Sequence, residues 1–251
     1  MDNAPSLKLL LPCHDLDEIM IDVSIRLRHA ILQGDLLLAK RILKNHPKSL
    51  YNPDIVGNTS LHIAAEKGHL GIVQHLVEEE QHERDGVSKN NNGDTPLMLA
   101  AGEGHEEVVH CIVSRFSRCI DWRNKLGVTA MMHAAKNGCD AVVNMLLDLG
   151  AEADVVDVLG NTSLHYASAY GHLKVIRSLV ERGSNCEKPN RQGFTPLEYS
   201  YSQQAEQYFV NLIQERDKRW ASDNARSRAA TPIFGRSEKT TPQRQRASSG
   251  S

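Results

Sequence analysis

The chain has 251 residues, enough for one or two ordinary domains, and its 40% hydrophobic and 24% charged residues are typical of a globular protein. The net charge of −2 is uneven, because residues 220–251 carry +4 and residues 1–219 carry −6, which argues against a nucleic-acid-binding surface on the body of the chain. No apolar stretch is long enough for a signal peptide or a membrane span, and the five cysteines lack metal-ligand spacing.

The chain begins with residues 1–20, which contain two prolines and no repeat and which we assign to an N-terminal extension. The next segment places Leu27 and Ala30 at helical spacing before Gly34, and a second apolar run follows, so we expect two short helices. Arg28 stands where later segments carry His. A polar first helix of this kind is what the terminal cap of a repeat array needs.

Five downstream segments share one pattern, in which a Gly precedes a Thr by two residues and a short helix-forming run follows. The threonines recur at intervals of 36, 34, 33 and 33 residues, at Thr59, Thr95, Thr129, Thr162 and Thr195. In four segments the run ends at a second Gly, and another apolar run at helical spacing comes next. Self-similarity at a period of this length predicts a solenoid of stacked repeats.

The recurring residues suit a helix–turn–helix unit. A Thr hydroxyl can accept hydrogen bonds from the backbone N–H groups that open a helix, and Pro96 and Pro196 suit the first helical turn. Adjacent small residues such as Ala64-Ala65 let neighbouring helices approach closely. The closing Gly ends the first helix in a left-handed conformation.

The Thr-Pro-Leu-His-like run and the period of about 33 residues resemble the ankyrin-repeat family. This resemblance implies an all-α solenoid of about six helix-turn-helix repeats with finger loops, in which the first and last repeats are degenerate caps. The predicted repeats are residues 21–56, 57–92, 93–126, 127–159, 160–192 and 193–219. A disordered basic tail, rich in Ser, Thr and Arg, is expected at residues 220–251.

Each loop between repeats reaches an Asp or Asn three residues before the next Gly, and the resemblance identifies these loops as the ankyrin fingers. In that family, partners lie along the fingertips and the exposed side of the first helices. Apolar side chains at such positions are informative when they are exposed, although neighbouring fingers could instead pack them on each other. The predicted partner-binding residues are Ile55, Val56, Trp122, Lys125, Leu126, Val128, Val158, Leu159, Tyr170 and Phe194, most of them around repeats four and five.

The twelve histidines could suggest a catalytic or metal site, but the repeat explains several of them. His62 and His165 stand at the His position of the family motif, where the ring ties backbone groups of adjacent repeats. No nucleophile–base, paired-carboxylate, P-loop or dinucleotide pattern is present, and the segments outside the repeats are too short for a catalytic domain. We therefore predict no enzyme activity, cofactor, metal, nucleic acid or small-molecule substrate, and a protein as the partner.

Short kinase motifs occur in the tail. Arg-x-Arg-x-x precedes both Thr231 and Ser249, and Pro follows Thr231 and Thr241, so these three residues are predicted phosphorylation sites. A phosphate would reduce the positive charge of the tail. Such patterns are frequent by chance in Ser- and Arg-rich segments, and an unmodified, solvated tail is the alternative.

A narrower resemblance comes from the first repeat. The run from Leu27 to Pro47, with a lengthened loop from Gln81 to Lys89 and a polar tail, resembles the fungal ankyrin-repeat accessory subunits of target of rapamycin complex 2. This implies a scaffold or adaptor in a kinase signalling complex, in the cytoplasm, with the nucleus and the plasma-membrane periphery left open. The alternative is an adaptor or assembly chaperone of the ubiquitin and proteasome machinery.

Overall fold

The computed structural model describes residues 22–79 and 87–230, and within these ranges it contains helices, turns and loops but no strand. The chain divides into a unit that ends at Ile213 and a second unit that begins at Gln214. The first unit holds the first five predicted repeats and residues 193–213 of the sixth. The all-α solenoid expected from the sequence is confirmed.

Among the described residues, the first unit contains five pairs of sequential helices and the start of a further helix. The pairs are α1 (Val23–Leu32) with α2 (Leu36–Asn45), α3 (Ser60–Glu66) with α4 (Leu70–Gln74), α5 (Pro96–Glu103) with α6 (Glu106–Arg115), α7 (Ala130–Asn137) with α8 (Asp140–Asp148), and α9 (Ser163–Ala169) with α10 (Leu173–Glu181). A π-helix, His75–Glu79, continues α4, and short 3₁₀ helices, Pro47–Tyr51 and Ser117–Cys119, follow α2 and α6. The first helices of successive pairs pack in one row and the second helices in another.

Small residues allow the close packing of the first row. The adjacent alanines of α3, α5 and α7 are fully buried, namely Ala64, Ala65, Ala100, Ala101, Ala134 and Ala135. The threonines open these helices as expected: the Thr95 hydroxyl oxygen accepts from the Met98 N–H at 3.3 Å and the Thr129 oxygen from the Met132 N–H at 3.4 Å. Each such bond satisfies one of the unpaired N–H groups at a helix start.

The closing glycine fixes the spacing between repeats as well as the end of the first helix. Gly138 has φ of +76°, a left-handed backbone that favours glycine. A Cβ at Gly138 would lie 2.5 Å from Nδ1 of His172 in the next repeat. The missing side chain is therefore the space that the next histidine fills.

The sixth repeat departs most from the pattern. Its first helix is reduced to a turn after Thr195, where the Tyr199 N–H donates to the Thr195 carbonyl at 3.2 Å. The Tyr201 N–H donates to the Ser168 carbonyl of repeat five at 2.9 Å, which docks this turn on the stack. A degenerate terminal repeat was expected, and here the first helix is lost altogether.

The predicted start of a disordered tail at residue 220 needs correction. Helix α11 runs from Gln203 to Ala230, past the expected boundary at residue 219. The stretch contains neither Gly nor Pro and is rich in Gln, Arg and Ala, so nothing in it stops a helix. The extension at residues 1–20 and the predicted phosphorylation sites Thr231, Thr241 and Ser249 lie outside the described residues.

Candidate partner-binding surface

An Asp or Asn side chain builds each finger. At Asn124, Oδ1 accepts from the Leu126 and Val128 N–H groups, both at 2.9 Å. Asp54, Asn90, Asp157 and Asn190 make the same pair of bonds, to the N–H groups two and four residues on, at 2.8–3.1 Å. Asx turns of this kind fix a tight loop through the side chain itself. All five fingers therefore have the same backbone shape.

Backbone hydrogen bonds join successive fingers in register. The two residues that follow each Asp or Asn form the tip of that finger. The N–H of the first tip residue donates to the carbonyl of the second tip residue of the preceding finger. These bonds run from Asn91 to Val56 at 2.9 Å, from Lys125 to Asn92 at 3.1 Å, from Val158 to Leu126 at 3.0 Å and from Arg191 to Leu159 at 2.9 Å. The tips thus form one continuous strip that main-chain atoms join at every step, with one added side-chain bond from Asn91 Nδ2 to the Ile55 carbonyl at 3.2 Å.

Most of the predicted partner-binding residues are exposed on this strip or beside it. The exposed fractions are 97% for Ile55, 62% for Leu126, 55% for Leu159, 51% for Tyr170, 46% for Phe194, 43% for Val158 and 40% for Val56, and Lys125 is also exposed. Neighbouring fingers therefore do not bury these side chains on each other. Leu126, Val158 and Leu159 are directly linked through the tip hydrogen bonds, so the predicted apolar cluster of repeats four and five is contiguous. That it binds a partner stays a prediction.

Trp122 and Val128 are only partly exposed. The Trp122 ring packs against the core, and Lys89 Nζ lies 5.2 Å from its centroid. In the repeat alignment, Trp122 matches Val155, which is buried. The alignment of Trp122 with an apolar residue of the next repeat is the sequence signal that indicates a structural role for Trp122.

Tyr166 and its partner Asp157 were not among the predicted residues. The Tyr166 hydroxyl donates to Asp157 Oδ2 at 2.7 Å, which ties the fingertip of repeats four and five to helix α9. Burial, together with this hydrogen bond, raises the pKa of Tyr166 far above its ordinary value. The pair stiffens the finger that carries Val158 and Leu159.

The predicted structural role of His62 and His165 is confirmed. His62 Nδ1 accepts from the Thr59 N–H at 3.2 Å, so its other nitrogen carries the proton and donates to the Asp94 carbonyl of the next repeat at 2.9 Å. His165 makes the matching bonds to Thr162 and to Phe194. Burial lowers the pKa of both imidazoles, which keeps them neutral and structural.

A polar cluster joins repeats three and four beside the fingers. Asp94 Oδ1 accepts from Asn124 Nδ2 at 2.7 Å and lies 3.7 Å from His133 Nε2. The contact with His133, with help from Asn124, holds the pKa of Asp94 at about 2. Asp94 therefore stays ionised and committed to its neighbours.

Two classes of site were also searched for across residues 22–79 and 87–230. In those ranges, no group of three or more His, Cys, Asp or Glu side chains is placed to hold a metal ion. None of the helices described there is long and apolar enough to cross a bilayer.

Comparison with known families matches most of the chain. A family model described as ankyrin repeats (3 copies) matches residues 27–121, 81–157, 112–190 and 131–219. Target of rapamycin complex 2 subunit AVO2 of Saccharomyces cerevisiae is 34% identical over 161 residues, which cover 64% of this chain and 38% of AVO2. Synphilin-1 of Mus musculus is 35% identical over 160 residues, which cover 61% of this chain and 16% of that protein.

This chain therefore spans well under half the length of these curated relatives. Among solved structures, a similar chain occurs in the complex of a predatory endopeptidase of Bdellovibrio bacteriovorus with an immunity protein. It superposes with a TM-score of 0.63 at 27% identity, over 74% of this chain and 96% of the other.

Proposed function

Because this chain belongs to the ankyrin-repeat family, we propose that it is a non-enzymatic scaffold or adaptor that binds other proteins through its fingers. We further propose that it is an accessory subunit of a kinase complex similar to target of rapamycin complex 2, at a cytoplasmic location. The identity to AVO2 over 161 residues supports this assignment. The similarity extends over more than half of the chain and so reaches well beyond the first repeat that suggested it.

The proposed contact surface is the apolar part of the finger strip. Leu126, Val158 and Leu159 are exposed, contiguous and held on a fixed backbone. Exposed aliphatic side chains on a rigid frame lose little conformational entropy on binding, and apolar anchors dominate interface energetics. This surface is therefore the best-supported place for a protein partner.

The test is co-purification with defined subunits. The full chain, tagged and expressed in its native cells, is expected to recover the target of rapamycin kinase and the other subunits of that complex by mass spectrometry. Leu126→Ser, Val158→Ser and Leu159→Ser together are expected to reduce that recovery about tenfold or more, because the loss of several anchors weakens an interface by more than 1.4 kcal/mol.

A matched control separates binding from stability. Leu37, Leu149 and Leu173 are exposed by 80%, 37% and 38%, so their three side chains together bury about as much apolar surface as the three fingertip residues. They lie on or just after the second helices α2, α8 and α10. Changing them to Ser should leave recovery intact. Recovery of proteasome subunits in place of the kinase complex would overturn the assignment, and equal losses from both triple variants would mean that the surface is misplaced.

A further inference from the structure

The charge of the finger strip differs from that of the rest of the stack. The five tip pairs, residues 55–56, 91–92, 125–126, 158–159 and 191–192, include Lys125 and Arg191 but no Asp or Glu. Lys89 and Arg123, each just before a finger's Asn, are exposed as well. The described part of the stack, residues 22–79 and 87–219, holds 21 basic and 22 acidic residues, a net charge of −1. A stack of nearly balanced charge thus presents a strip of fingers whose exposed charges are positive.

The carboxylates within the fingers accept hydrogen bonds inside their own loops. Asp54 accepts from the Val56 and Asn58 N–H groups and from the Asn58 side chain. Asp157 is buried and accepts from two backbone N–H groups, from Asn161 and from Tyr166. Both side chains face inward to shape the loop. The exposed charged side chains on and beside the tips are Lys125, Arg191, Arg123 and Lys89, the last with its Nζ donating to the Arg123 carbonyl at 2.9 Å.

Basic side chains flank a run of apolar ones along the fingers of repeats three to six. Lys125 adjoins Leu126 on one tip, Val158 and Leu159 occupy the next, and Arg191 begins the tip after that. The N–H to carbonyl bonds between these tips fix this order in space. A partner that follows the strip therefore meets a cation, three aliphatic side chains and a second cation.

We propose that the fingers of repeats three to six bind an acidic polypeptide segment, in which Asp or Glu residues flank aliphatic or aromatic ones. Carboxylates of the partner would pair with Lys125 and Arg191, and its apolar side chains would cover Leu126, Val158 and Leu159. Complementary charge speeds association and excludes partners of like charge, while buried apolar anchors hold the complex. This inference rests on the proposed function, because it names the chemistry of the partner at the same surface.

The test selects peptides on the full chain. A display library of random peptides is expected to yield binders enriched in Asp and Glu next to Leu, Ile, Val or Phe, relative to the unselected library. The double variant Lys125→Glu, Arg191→Glu is expected to weaken binding of a selected synthetic peptide about tenfold or more, since reversing two paired charges replaces attraction with repulsion. Selection on this variant should favour Lys and Arg in place of Asp and Glu.

The control reverses the same number of charges elsewhere. Lys44 of α2 and Lys174 of α10 are exposed on second helices, so Lys44→Glu with Lys174→Glu changes the net charge equally without touching the fingers. It should select the same acidic peptides as the unchanged chain. Circular dichroism and urea unfolding of both double variants exclude a loss of folding as the cause.

Three outcomes would overturn the inference. In the first, the selection enriches no peptide or shows no excess of Asp and Glu. In the second, the Lys125→Glu, Arg191→Glu variant selects the same sequences as the unchanged chain. In the third, the chain binds phosphatidylserine vesicles in a way that depends on Lys125 and Arg191. The last would assign the strip to a membrane surface. Failure of the kinase complex to co-purify, with acidic selection intact, would instead remove the proposed function and leave this surface assignment standing.

Discussion

The effect of the close contact between Gly138 and His172 on stability can be measured by comparison with a second glycine. Gly138 and Gly150 both have a left-handed backbone, with φ of +76° and +90°. A Cβ at Gly138 would lie 2.5 Å from His172 Nδ1, whereas a Cβ at Gly150 would meet no described atom within 4 Å. Changing each to Ala therefore imposes the same backbone strain but only one steric conflict.

The expected magnitudes follow from these contacts. A left-handed conformation costs a residue with a Cβ about 1–2 kcal/mol, which is the full effect expected for Gly150→Ala. At Gly138 the His172 ring must also move, and its hydrogen bond to the Lys136 carbonyl at 2.9 Å is lost, at about 1 kcal/mol. Gly138→Ala is thus expected to lower the free energy of unfolding by about 2–3 kcal/mol.

Urea unfolding of the full chain measures both values, with an unchanged m-value as the sign that cooperativity is preserved. In a His172→Ala background the conflict is absent, so the two glycine variants should agree within about 0.5 kcal/mol. Equal losses from Gly138→Ala and Gly150→Ala in the otherwise unchanged chain would refute the close approach. If the two glycine variants still differ in free energy of unfolding in the His172→Ala background, the His172 ring is not the cause of the difference.

Two further predictions concern buried polar groups. Burial lowers the pKa of His62 below 6.5, so the unfolded chain takes up a proton first and the free energy of unfolding should fall as the pH drops through 6.5. His62→Gln should flatten that dependence in urea titrations at several pH values, and an unchanged slope would contradict the assignment. Tyr166→Phe removes the donor to Asp157 and should lower the free energy of unfolding by about 1 kcal/mol. Tyr170→Phe, at an exposed tyrosine, should change it by less than about 0.5 kcal/mol, and similar losses from both would contradict the proposed hydrogen bond.

The repeat architecture could be predicted because its signals are local. Thr95 and the glycine nine residues later bracket one helix, and the structure places α5 at Pro96–Glu103 between them. The fingers were equally predictable, since a single Asn such as Asn124 sets the loop through bonds to its own neighbours. The fifth Thr, Thr195, shows the limit: the same signature opens only a turn, and no closing glycine follows it at the matching position.

Other features depend on relations that a single repeat does not contain. The bond from Tyr166 to Asp157 links residues nine positions apart, on a helix and on a finger, and it needs the tertiary structure to be seen. Helix α11 continues past residue 219 because nothing stops it, whereas composition alone suggested disorder. Trp122, a predicted contact residue from its position beside a finger, is partly exposed and also fills a place that a buried valine takes in the next repeat.

The motif residues and the main chain build the frame, whereas the tip side chains are left to contact a partner. The family motif therefore does not identify the partner. Stacking uses the Thr, His, Gly and Asx residues of each repeat, and the tips are joined through N–H and carbonyl groups that any residue supplies. Side chains at Lys125, Leu126, Val158 and Leu159 are therefore free to vary without changing the frame. Substitutions there should alter binding far more than stability, while changes at Gly138 or His62 should do the reverse. The tip side chains therefore indicate the chemistry of the partner. In this chain the exposed tip side chains are apolar, amide and basic.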